Sequence, residues 1–143
     1  MSLLDTIEGL TKTRPLGRDE VEGALDVSLR GDPENQNRYI EVLRSFRNAP
    51  GIKAVELRLP LRGATRKDGM LLVDLDPAAS ETIPGDAVRA RFGEPSEVIE
   101  PEPEQPKDAP HYLSYTRPWG FLRFGYAKPS WDVLLTFVID VER

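Results

Sequence analysis

The chain has 143 residues, 39% hydrophobic and 30% charged, the balance of a globular domain long enough to bury a core without covalent staples. It contains no cysteine, which excludes disulfides and thiolate metal sites and makes the cytoplasm the expected compartment. Net charge is −5 and neither part is basic: residues 1–82 hold 12 basic and 14 acidic side chains, residues 83–143 hold 7 and 10, so nucleic acid is not an expected partner, whereas a protein with a basic surface is.

Met1–Glu8 carries acids, no basic n-region and no uninterrupted apolar run, which argues against a signal peptide; no later run reaches the length of a membrane span, so no membrane association is expected. Ser2–Leu10 predicts a short helix, with Ser2 as cap and Leu3, Ile7 and Leu10 at helical spacing. A second helix is predicted from about Arg18 to Leu29, with acids near its positive end and Val21, Ala24, Leu25 and Leu29 inward. Asp32 and Pro33 resemble an N-cap and first helical position, and Tyr39, Val42, Leu43 and Phe46 share one helical face, so a third helix is expected before Pro50-Gly51. Arg38, Arg44 and Arg47 lie off that face, as solvated charges or as anion or partner contacts.

Period-2 alternation then predicts a hairpin. Lys53–Leu61 places Val55, Leu57, Leu59 and Leu61 on one face, and Met70–Leu75 places Leu71, Val73 and Leu75 inward against Leu72 and Asp74 outward. Pro60 donates no ladder bond, so this arm belongs at a sheet edge or ends there. Residues Gly63–Gly69, with Lys67-Asp68-Gly69, read as the turn. After a polar run to Thr82, Ile83–Pro95 reads as a core helix closed by Gly93 and Pro95. Val98-Ile99 suits a short strand. Glu100–Pro110 carries four prolines and the acids Glu100, Glu102, Glu104 and Asp108, and reads as an extended loop. Three strands follow: Tyr112–Thr116, Phe121–Tyr126 and Val133–Val141, the last with Val133, Leu135, Phe137, Ile139 and Val141 on one face.

These elements predict an α+β fold: an antiparallel sheet packed on one side by helices, in a single domain over residues 1–143. The first half, 1–82, is helical with a β-hairpin; the second, 83–143, is a helix with a three-stranded sheet, and the two loosely repeat one plan. Ile83, Val88, Gly93 and Pro95 have a spacing that resembles the helix of the SmpA/BamE-type outer-membrane assembly lipoproteins, over residues 83–141. The beta-lactamase-inhibitor proteins, with two copies of a helix-plus-sheet unit, look similar too. Pro84 stands where the SmpA/BamE group has a Thr or Ser cap, and the anchoring cysteine is absent. The resemblance therefore implies a protein-binding scaffold and no role in outer-membrane assembly.

Residues for catalysis are scarce. His111 is the one histidine, with no nucleophile paired to it in sequence, and no nucleophile elbow or phosphate loop occurs. Asp74 and Asp76, with Glu56 or Asp68, could hold a metal ion; ion pairing with Arg58 and Arg62 across the hairpin is the simpler expectation, and no metal or cofactor is predicted. Eight of the eleven aromatic residues lie between Tyr112 and Phe137, on both faces of the strands and in the turns. Either they form a second core layer or some of them anchor an interface. The candidate partner-binding set is Trp119, Trp131, Tyr112 and Tyr126 with Glu100, Glu102 and Glu104. The expected function is a non-catalytic protein-binding module, such as an immunity or inhibitor protein occupying a toxin or enzyme. The alternatives are a structural or accessory subunit of a bacterial complex, and an enzyme with an unrecognised site.

Overall fold

A computed structural model of the chain describes residues 2–65, 68–79 and 82–142; Lys67 of the expected turn lies outside the described residues. Helix α1 (Leu3–Thr11) starts where Ser2 and Asp5 cap each other's backbone amides, the side chain of each accepting from the other's N–H at 3.1 and 3.2 Å. Helix α2 (Arg18–Leu25) stops four residues earlier than its apolar stripe predicts. Asp26 takes a left-handed conformation, φ 53°, and ends it, which frees Ser28–Gly31 to form strand β1.

The expected third helix is instead strand β2 (Ile40–Arg47). Asp32-Pro33 serves a turn as well as it would serve a helix start: the Asn35 amide donates to the Asp32 carbonyl at 3.2 Å, and Asn37 Oδ1 accepts the Tyr39 and Ile40 amides. Val42, Leu43 and Phe46 fit the helical period, and as a strand they divide between the two faces; pairing with β3 (Ile52–Pro60) decides for the strand. β3 lies between β2 and β4 (Met70–Leu75), so it is no edge; Pro60 is its last residue, where the missing donor costs nothing in the ladder. Helix α3 (Gly85–Phe92) and strands β5 (Glu97–Ile99), β6 (His111–Arg117), β7 (Gly120–Tyr126) and β8 (Leu134–Val141) occupy the expected places.

All eight strands form one antiparallel sheet in the order β1-β2-β3-β4-β8-β7-β6-β5. The fold is therefore α+β with an antiparallel sheet. Register links residues into rows across it. Leu43, Leu57, Leu71, Ile139, Leu122 and Tyr115 make one row, and Val55, Val73, Phe137, Phe124 and Leu113 the next. Both rows are buried and join Leu4, Ile7, Leu10, Val21, Leu25 and Val88 of the helices in one apolar cluster. Each such side chain contributes roughly 2 kcal/mol, against well under about 1 for a surface ion pair, so these rows set the stability.

One expected face assignment is corrected. Tyr126 pairs with Leu134 while Gly125 pairs with Thr136, so Leu135 is the extra residue of a β-bulge. The bulge shifts the alternation by one. Leu134 is buried with Phe137, Ile139 and Val141, whereas Val133 is 40% exposed and Leu135 turns to the opposite face.

Candidate functional site

The other face of the sheet is chemically mixed. One row crosses all eight strands: Arg30, Arg44, Glu56, Leu72, Val138, Arg123, Ser114 and Glu97. At its β1–β3 end the charges cancel locally. Arg44 pairs with Asp32 and Glu56, each at 2.5 Å, and Arg58 pairs with Glu56 at 2.6 Å. At the centre the row becomes apolar, and there a groove of about 870 Å³ opens. Its floor is Leu72, Leu135 and Val138; Tyr112 and Pro110 bound one side, Ile52 and Pro77 the other. Asp74, Asp76 and Asp108 face it, with Lys53 as the one basic lining residue among those described. A second cleft of about 290 Å³ continues under the 100–110 loop, sharing Leu72, Val138, Pro110 and Tyr112 and adding Phe121, Arg123, Glu100 and Pro101. Only strand and loop residues line either space.

Tyr112 is seated by a glycine. A Cβ on Gly125 would fall 2.7 Å from Tyr112 Cε1 and 2.5 Å from Thr136 Cγ2, so the bare β7 backbone lets the ring and the Thr136 methyl lie against it. Burial of this half-buried phenol, and then the Asp74 carboxylate, raise its proton affinity above the usual tyrosine range, with Arg123 opposing.

The loop is tied to the fold through His111. This side chain is buried, and its ring stacks on Trp131 with centroids 3.5 Å apart. Nε2 lies 2.7 Å from the Ser130 carbonyl oxygen, so Nε2 carries a proton and donates it; Nδ1 lies 3.5 Å from the Glu100 carboxylate. His111 thus joins the start of the acidic loop to the β7–β8 turn.

The predicted partner-binding residues separate into four groups. Tyr112 lines the groove, and Glu100, at the loop's root, lines the adjoining cleft. Glu102 and Glu104 are exposed farther along the loop. Trp119 and Trp131 are half-buried and pack against the apolar cluster: the Trp131 carbonyl accepts the Gly85 amide at 2.7 Å, and Arg14 lies 5.2 Å over the Trp119 ring. Tyr126 is a correction. It is fully buried, its hydroxyl donates to the Ile83 carbonyl at 2.9 Å, and burial raises its proton affinity, so no surface of it faces a partner.

The acids considered for a metal are not gathered. Glu56 is held by Arg44 and Arg58, and buried Asp68 accepts the Leu16 and Gly69 amides at 2.9 and 2.7 Å. Leu72, Leu135 and Val138 were not legible as site residues in the sequence, whereas Asp108 of the acidic loop and Phe121 of the aromatic strands belong to the segments expected to bind. The available signal was apolar residues, Leu72 and Val138, at positions whose phase points away from the core.

Compared with known proteins, the chain matches no family model, no curated protein and no solved structure.

Proposed function

We propose that this chain is a non-catalytic protein-binding module acting in the cytoplasm, of the immunity or inhibitor kind, and that it engages its partner through the face bearing Leu72, Leu135, Val138 and Tyr112. The observation that supports this reading is the groove itself. Apolar side chains stand on the outward phase of two adjacent central strands, β4 and β8, and no helix residue lines the space above them. Exposed apolar surface rimmed by polar groups is the usual form of a docking site.

The finer architecture belongs to the same proposal. Element order reads as two units, α1-α2-β1-β2-β3-β4 and α3-β5-β6-β7-β8, joined where β4 pairs with β8, with the helices on the side opposite the groove. The second unit, over residues 83–141, would share its architecture with the SmpA/BamE-like and beta-lactamase-inhibitor-like proteins that its helix spacing resembles. A double-length sheet with one free face suits inhibition by surface occupation.

The test is quantitative co-purification from the native host with tagged wild type, Leu135→Asp and Ala90→Asp. Leu135 is half-buried in the groove and Ala90 is exposed on α3. A partner retained by wild type and Ala90→Asp but lost from Leu135→Asp supports the reading. A partner lost from Ala90→Asp and retained by Leu135→Asp places the interface elsewhere and overturns it.

A further inference from the structure

Asp32, Glu56, Asp26, Glu94 and Asp5 each meet an arginine. Asp74 and Asp108, which face the groove, have no ion-pair partner among the described residues, and Asp76 accepts only the Ala78 amide. Among the described residues that line that space Lys53 is the single basic one, against the carboxylates of Asp74, Asp76 and Asp108. The floor between them is apolar and broad enough for the methylene stem of a long side chain, and Tyr112 stands at its edge.

We infer that the groove takes a short basic segment of a partner protein, with one Lys or Arg side chain laid along Leu72, Leu135 and Val138 and its cation among Asp74, Asp76 and Asp108. This rests on the proposed reading of the face as a binding surface and specifies the chemistry of what binds there. Long basic side chains suit such a place because they bury their stems while keeping the charge at a polar rim. Tyr112 adds an aromatic face to the cation's surroundings. From β3 to β6 the groove crosses four strand spacings, about 19 Å, which about six extended residues would span. The rim acids are exposed, so their attraction acts on approach and sets which segment docks.

The full chain is titrated calorimetrically with a blocked peptide of about six residues alternating leucine with lysine, and with its leucine–glutamate counterpart. Two doubly substituted chains follow: Asp74→Asn with Asp108→Asn, and Asp19→Asn with Glu20→Gln, the latter removing equal charge from the first turn of α2. All sites are on the surface or near it, and thermal melts verify that both variants fold. The inference predicts that wild type binds the basic peptide only, that the groove variant binds it about tenfold more weakly, and that the α2 variant stays within about twofold. Absent binding of the basic peptide, equal binding of the acidic one, or equal losses in both variants would each overturn it. Any of those results together with loss of the native partner from Leu135→Asp would leave the face as an interface and remove only its basic occupant.

Discussion

Asp5 and Arg91 are 86 residues apart in sequence, and their ion pair ties α1 to α3 at 2.5 Å. The hydrogen bond from Arg91, with those from Ser2, brings the Asp5 carboxyl from 3.8 down to about 2. A carboxylate depressed in the folded state stabilises it above the unfolded value, and that contribution is lost as pH falls from near 4 through about 2. Denaturant midpoints across that window should therefore fall more steeply for wild type than for Asp5→Asn; equal slopes would show that the pair does not persist in solution. Gly125 offers a second residue-scale prediction. Gly125→Ala forces Tyr112 and Thr136 aside and should cost about 1–3 kcal/mol, with much of that recovered when Tyr112→Ala is added, as a double-mutant cycle would measure. Gly120 is stricter. There φ is 150° and a Cβ would stand 1.9 Å from the Asp140 carbonyl oxygen, a backbone atom that cannot swing away. Gly120→Ala should cost about 3 kcal/mol or more by chemical denaturation, with no second-site rescue from a neighbouring side chain.

At the scale of elements, local chemistry was a good guide wherever one period dominated. The hairpin β3–β4, helix α3 and the strands β6, β7 and β8 follow directly from alternation and from Gly93-x-Pro95. It failed at β2, where Tyr39, Val42, Leu43 and Phe46 fit a helical stripe and long-range pairing with β1 and β3 overrides it. Local periodicity also could not reveal the bulge at Leu135, because the extra residue is defined by its partner strand. That bulge is what brings Leu135 onto the groove. Deleting Leu135 should restore one continuous alternation with Leu134 still inward opposite Tyr126, and take an apolar side chain off the groove floor, changes that amide exchange and a structure of the variant would display. Trp131 belongs to this scale as well, because it clamps α3, the β7–β8 turn and His111 together. Trp131→Ala should lower stability by about 3 kcal/mol, measured by denaturation, and this separates it from Phe46, which is 56% exposed and whose change to Ser should stay within about 0.5 kcal/mol.

Over the whole molecule, the sheet divides its labour between two faces. One carries the apolar rows that hold the chain together. The other carries paired charges at the β1–β3 end and, at the centre, an apolar floor rimmed by Asp74, Asp76 and Asp108, which form no ion pair among the described residues. Of the candidate site, Tyr112 and Glu100 were legible in the sequence because an aromatic strand and an acidic loop are local features. The groove floor was not, since Leu72 and Val138 are 66 positions apart and meet only because β4 pairs with β8. The clustered aromatics were ambiguous for the same reason: Tyr126 and Phe124 went to the core, Tyr112 to the groove. No helix among the described residues is long and apolar enough to cross a membrane. The central claim, that a protein partner occupies this face, is tested most directly by placing a photoreactive benzoylphenylalanine at Leu135, Tyr112 and Ala90 in the native host and irradiating. The account predicts one discrete cross-linked protein from Leu135 and Tyr112 and none from Ala90. A partner cross-linked through Ala90 and absent from both groove positions would contradict it.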